Sequence, residues 1–416
     1  MNGPAGRLAG VLVAGVLGIV PAVPAAAQPS SPGGTTTTEQ EPCLPPPQSV
    51  DPSVPWAQRQ LAPEQAWPLT DGSGITVGVV DTGVDGHVPQ LQGVVLPGVD
   101  TTKPGHAPGD TDCFGHGTFV AGIIAAKPTQ GTGYVGVAPG VRILPVRCAT
   151  TDTPNAPGAL TPEGMALGIR AAVDAGAQVI NVSASTTEQN PTLADAIRYA
   201  AEHDVVVVAS AANSGNEGDP VTYPAAFPTV IAVGAVNETG QHADFSQTGP
   251  FVSLVAPGVD ILGLGPGGPG HWKGNGTSYS APFVAGVAAL VRAYRPGLSA
   301  EQVKHRLLAT ATHPAVALPD PALGWGMVNP LAAVTTVLPE ENGVEPRSVA
   351  PPGATAAPVV PHDEMGPVLA MAGMIGAVVL VLAALLLGRL FSAGRKRGFR
   401  PARVIEMSTP DGPATR

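Results

Sequence analysis

Ile75-Thr76-Val77-Gly78-Val79-Val80-Asp81-Thr82-Gly83 is the stretch on which the fold turns. The β-branched run from Ile75 to Val80 reads as a buried strand, and Thr82-Gly83 reads as the turn that ends it. A carboxylate at the carboxyl end of a strand is where α/β proteins place functional groups, although a turn-capping aspartate has the same local signature. Further along, Ala177 to Val182 and Val205 to Ala209 also read as buried strands. Before each comes a helix start with proline at the first helical position, Thr161-Pro162 and Asn190-Pro191. Ser299 to Ala311 predicts another helix, with Ser299 and Gln302 as a capping box. This alternation predicts an α/β fold with a mostly parallel sheet covered by helices on both faces. A length of 416 residues allows two or three domains, but single α/β domains often run this long. One main domain over 61–338 is the reading.

Two further segments give Asp81 partners. His116 lies between Gly115 and Gly117 and opens an apolar helical run, Phe119 to Ala125; of the nine histidines it alone has a glycine on each side. Ser278 sits in Gly276-Thr277-Ser278-Tyr279-Ser280-Ala281-Pro282, before the apolar run Ala281 to Tyr294. Alone it also reads as a helix N-cap. A hydroxyl is a weak nucleophile near neutral pH. It needs an imidazole as base and a carboxylate to fix that imidazole's tautomer. The chain offers all three.

Together they resemble the subtilisin-like serine proteases. Val80-Asp81-Thr82-Gly83 matches that family's aspartate motif, and Gly115-His116-Gly117-Thr118-Phe119-Val120-Ala121-Gly122 its histidine motif. Gly276-Thr277-Ser278 with Ala281-Pro282-Phe283-Val284-Ala285-Gly286 matches its serine motif, and the similarity runs over about residues 65 to 335. The resemblance implies peptide-bond hydrolysis by Asp81, His116 and Ser278, and an asparagine that binds the oxyanion. Counting from the strand that ends at Ala209 puts this asparagine at Asn213; Asn216, in Gly215-Asn216-Glu217-Gly218, is the alternative by local composition. The family usually has glycine before that asparagine and a Ser-x-Gly edge along its specificity pocket. Here Ala212 and Ser183-Ala184-Ser185 take those places, so the expectation is a shallower pocket that favours small or medium residues.

The ends of the chain suggest a location. Residues 1–27 read as a secretory signal, with Arg7, an apolar stretch from Leu8 to Val20, and Ala25-Ala26-Ala27 as the cleavage site. Residues 367–388 are apolar throughout and long enough for one transmembrane helix. Arg389, Arg395, Lys396, Arg397, Arg400 and Arg403 follow, so the positive-inside bias predicts a cytoplasmic tail over 389–416 and an extracytoplasmic main domain. Residues 28–60 form a Pro-rich extension, read as a cleaved propeptide, a loose arm or a segment wrapped on the domain. Residues 339–366 read as a Pro-rich linker.

Three cysteines allow one internal disulfide. Cys43 to Cys113 is expected, because it staples the extension beside the histidine motif; Cys113 to Cys148 is the alternative. No cofactor or metal is expected from the cysteine spacing or from any acidic loop. Gly263-Leu264-Gly265-Pro266-Gly267-Gly268 satisfies a dinucleotide pattern, but Pro266 and Pro269 forbid the helix that must follow it. The domain lacks a basic patch with interleaved aromatics, which argues against nucleic acid as a partner.

Signal, cysteine-bearing extension, protease domain, Pro-rich linker and C-terminal membrane helix together resemble the mycosins, membrane-anchored proteases of actinobacterial type VII secretion systems. That implies a protein or peptide substrate and a secretion membrane complex as partner. A structural scaffold with dispensable proteolysis, or an anchored protease unrelated to secretion, remain the other readings.

Overall fold

A computed structural model describes residues 43–341 apart from 104, 106, 152–155 and 157, together with 384–390 and 392. The chain divides into two compact units, Met1–Arg347 and Ser348–Arg416. Among its described residues, the first carries seven strands in one sheet: β1 (Thr76–Asp81), β2 (Val99–Asp100), β3 (Arg142–Arg147), β4 (Val179–Val182), β5 (Val206–Ser210), β6 (Ile231–Val236) and β7 (Leu254–Pro257). Their order is β2-β3-β1-β4-β5-β6-β7, and every pairing is parallel. A separate antiparallel pair joins β8 (Ile261–Leu264) to β9 (His271–Gly274).

Among the described residues of the first unit, seven α-helices accompany these strands: α1 (Trp56–Leu61), α2 (His116–Ala125), α3 (Pro162–Asp174), α4 (Pro191–Glu202), α5 (Thr277–Tyr294), α6 (Ala300–Ala309) and α7 (Pro330–Thr335). Alternate residues of the strands enter two different cores, as a period of two requires. Val77 and Val79 of β1 and Val206 and Val208 of β5 pack in the core that holds Phe119 of α2 and Val284 of α5. Val80, Val207 and Ala209 pack in the opposite one, with Met165 and Ile169 of α3 and Leu193 of α4. A sheet buried on both faces explains why its strands read as nearly unbroken apolar runs.

The capping chemistry is as the sequence predicts. Thr161 Oγ1 accepts from the Gly164 N–H, Asn190 Oδ1 from the Leu193 N–H, and Ser299 and Gln302 form a reciprocal box. Ser278 differs: it is the second residue of α5, and Gly276 occupies the N-cap. The pattern at 263–268 spans the end of β8 and the start of the turn to β9, and the chain continues into a strand, not a helix.

The described part of the extension lies along the first unit. Cys43 is disulfide-bonded to Cys113, and the Leu44 N–H donates to the Cys113 carbonyl. Pro46 and Pro47 pack on Gly265, Gly267 and Gly270 of the β8–β9 turn. The His271 N–H donates to the Ser49 carbonyl, and the Asp51 N–H returns a bond to His271 Nδ1 at 3.0 Å. Cys148 is the buried free thiol; burial pushes its pKa up to about 12, so the thiolate is disfavoured.

In the second unit, residues 384–390 are helical. The expected signal at 1–27 and nearly all of the expected linker and apolar span over 339–388 lie outside the described residues. Among the described residues, no helix is long and apolar enough to cross a membrane.

Candidate active site

The sheet order reverses direction around β1, whose neighbours are β3 and β4. Ligands of open α/β sheets bind at such a point, outside the carboxyl ends of the strands. Asp81 ends β1, Ser183 follows β4, and Asn213 lies three residues beyond β5. Strand alternation puts Asp81 on the same side as Val77 and Val79, the side covered by α2 and α5.

His116 is the first residue of α2. Its Nδ1 lies 2.8 and 3.0 Å from the two carboxylate oxygens of Asp81, and the Thr82 N–H donates to Asp81 Oδ1 at 2.8 Å. Facing a carboxylate, Nδ1 carries the proton, which makes Nε2 the basic nitrogen. Close approach of the two backbones makes this possible: a Cβ at Gly117 would collide with the Gly83 carbonyl oxygen. Asp81, His116 and Ser278 are 5, 8 and 9% exposed, so the group is largely shielded from bulk water.

A second carboxylate, which sequence reasoning did not single out, locks this arrangement. Asp112 accepts from Thr82 Oγ1, from the N–H groups of Phe114, Gly115 and Thr118, and from Thr118 Oγ1, at 2.7 to 3.2 Å. It thereby caps α2, whose N-cap glycine has no side chain to do so, and ties that helix to the turn after Asp81. Burial pushes the Asp112 carboxyl above the usual carboxylate range, with Asp81 adding to the shift and these hydrogen bonds opposing it. The available signal was its place one turn ahead of the helix that opens at His116.

Ser278 and Asn213 meet on either side of Gly276. A Cβ built on Gly276 would lie 3.0 Å from Ser278 Oγ and 3.3 Å from Asn213 Nδ2, so the two atoms flank one small space that glycine keeps open. The Asn213 amide is oriented by Thr277, whose N–H and Oγ1 both donate to Oδ1, at 2.8 and 2.9 Å. Since a backbone N–H can only donate, the atom facing it is the oxygen and Nδ2 is the donor on the other side. Thr277 Oγ1 in turn accepts from the Ala212 N–H at 3.1 Å. Of the two asparagines considered, Asn213 is the one bonded to the helix that carries Ser278; Asn216 lies in the next turn. On the other flank Tyr279 stands beside the imidazole, with its ring centroid 5.4 Å from that of His116 and 4.2 Å from that of Phe119.

Ala212 holds φ at 85°, a left-handed conformation that glycine adopts without cost. Ser183 turns its hydroxyl inward, to the Ser278 carbonyl, while Ala184 is half-buried and Ser185 exposed. Beside the His116 turn a cleft of about 890 Å³ opens, lined by Thr82, Asp112, Phe114, Arg147 and Thr150 among others.

A base with a fixed tautomer, a hydroxyl at a helix N-terminus and an amide donor facing it are the parts that acyl transfer requires. Comparison with known proteins agrees. A model of the subtilase family matches residues 72–326, more than half of the chain. Mycosin-3 of Mycobacterium tuberculosis (strain ATCC 25618 / H37Rv) is 36% identical over 429 residues, covering 87% of this chain and 90% of the relative. Mycosin-1 of Mycolicibacterium smegmatis (strain ATCC 700084 / mc(2)155) is 33% identical over 369 residues, 76% of this chain and 80% of the relative. Among solved structures, that of MycP1 from the ESX-1 type VII secretion system matches with a TM-score of 0.63 at 32% identity, covering 72% of this chain and 91% of that one. Sheet order, active-site parts and relatives thus converge: the chain belongs to the subtilase family and is a serine endopeptidase similar to the mycosins.

Proposed function

We propose that this chain is a membrane-anchored, extracytoplasmic endopeptidase of mycosin type that serves a type VII secretion system. Ser278 Oγ attacks the scissile carbonyl carbon while His116 Nε2 takes its proton, and Asp81 stabilises the imidazolium that results. Asn213 Nδ2 and the N-terminus of α5 hold the oxyanion. His116 then passes its proton to the leaving amine, the peptide bond breaks, and water repeats the sequence on the acyl-enzyme to release the acid. The observation that carries this reading is the single space at Gly276 faced by both Ser278 Oγ and Asn213 Nδ2.

The secretion role rests on the mycosin relatives, which match most of the chain. Anchoring and orientation rest on the sequence: the signal-like residues 1–27, the apolar residues 367–388 and the basic tail 389–416. The side chains of Ala212 and Ser185, where the family usually has glycine, favour small or medium residues before the cleaved bond. Cleavage profiling with a peptide library checks this, and Phe or Tyr as the best residue would contradict it.

A scaffold role is the second reading. One solved relative is described as a serine protease and as an essential component of the type VII (ESX-1) secretion system. Replacing Ser278 by Ala in the host separates the two. Secretion lost while the variant still co-purifies with membrane partners supports a proteolytic role; secretion retained supports the scaffold.

A further inference from the structure

We propose that Ser183 is a positioning residue for Ser278, supplying the hydrogen bond that Pro282 withholds from the Ser278 carbonyl. The inference rests on the reading of Ser278 as the nucleophile. In an α-helix each carbonyl accepts from the N–H four residues ahead. For Ser278 that residue is Pro282, inside α5, which has no N–H to give. Ser278 is buried to 9% exposure, so its carbonyl is poorly placed to recruit water instead.

Ser183 Oγ lies 2.8 Å from that carbonyl oxygen. A carbonyl can only accept, so Ser183 spends its one hydroxyl hydrogen there and must itself accept from Asn181. Asn181 Nδ2, at 2.8 Å from Ser183 Oγ, meets that demand, and Asn181 is fully buried. Residues 179, 181 and 183 share one side of β4 and its extension, the side on which α5 packs. The relay Asn181, Ser183, Ser278 therefore pins the first turn of α5 to the sheet at the residue where proline has removed the helix's own restraint. Since β4 lies between β1 and β5, the carboxylate, nucleophile and oxyanion donor are all referenced to three adjacent strands.

The test is a double-mutant cycle on the full-length, detergent-solubilised chain, read as the rate of Ser278 labelling by a fluorophosphonate and as kcat and KM on a peptide. Ser183→Ala is expected to slow labelling and kcat about tenfold with KM nearly unchanged, the scale of one unsatisfied buried carbonyl. In a Pro282→Ala background, where residue 282 donates to the Ser278 carbonyl, the same substitution is expected to cost less than about twofold. Labelling of Ser183→Ala at the wild-type rate, or an equal penalty in both backgrounds, would overturn the proposal. Should Ser183→Ala alone fail to fold, the double variant decides: a folded, labelled double variant supports the relay, and one that also fails counts against it. Absence of labelling at Ser278 in the wild type would instead remove the nucleophile reading on which the relay rests.

Discussion

Thr277 decides which end of the Asn213 amide faces the space at Gly276 beside Ser278 Oγ. By donating twice to Oδ1 it leaves Nδ2 as the only group Asn213 can offer an oxyanion. Such a donor acts on charge that develops in the transition state, so its loss appears in kcat more than in KM. For Asn213→Ala the expected result is a fall in kcat of about 10²- to 10³-fold at nearly constant KM; a change confined to KM would contradict the assignment. Asp81, His116 and Ser278 were legible in the sequence as candidates because each has a distinctive flank: a strand end, a glycine on each side, a glycine approach to a helix. Asn213 was legible through the register of β5. Thr277, Asp112 and the Asn181–Ser183 relay were not, because their partners are brought near by the sheet and lie up to 95 residues away in the chain. Ala212 was visible as a departure from the usual glycine, but its left-handed φ was not.

At the scale of elements, β1, β4, β5, α3, α4 and α6 announced themselves through apolar runs and caps, with ends shifted by a residue or two where the sequence marked them, whereas β2, β3 and β6 to β9 were not read from the sequence. What the sequence left open was where the Pro-rich extension goes, since a segment without a core of its own takes its path from the surface it meets. Glycines 265, 267 and 270 provide that surface, and His271 fastens it. His271 is buried at 8% exposure, which lowers its pKa, while Asp51 partly opposes the shift; the Asp51 carboxyl is itself held below its ordinary range by hydrogen bonds from Ser53, with Lys273 and His271 adding to that. Because the folded pKa lies below the unfolded one, the unfolded chain binds more protons in the interval between them. The His271 contribution is thus complete above the unfolded value of about 6.5 and is lost as pH falls toward the folded value. Protonation also ends the ability of Nδ1 to accept from Asp51. Amide hydrogen exchange over residues 46–53 should therefore speed up on acidification beyond the intrinsic pH trend, and this excess should vanish in His271→Gln. An identical pH dependence in both proteins would contradict the clasp.

Over the whole molecule, the first unit is closed at both of its described ends. At the start stand the Cys43–Cys113 disulfide and the His271 contacts. At the finish Glu341 is held by Arg306, which is fully buried and reaches both of its carboxylate oxygens, with Arg295 at 3.8 Å. Removing one member of such a buried pair costs about 3 to 5 kcal/mol, so the last described residues are fixed to the body rather than free to trail from it. A linker beginning here would leave the protease from a defined point. The proposed chemistry needs an activated Ser278, assembled by Asp81 and His116 in the intact chain. Its most direct measurement is fluorophosphonate labelling of the full-length protein with mass-spectrometric mapping of the modified residue. One adduct is expected, on Ser278, absent from Ser278→Ala and strongly reduced in His116→Ala. An adduct elsewhere, or labelling of Ser278 that persists unchanged without His116, would contradict it.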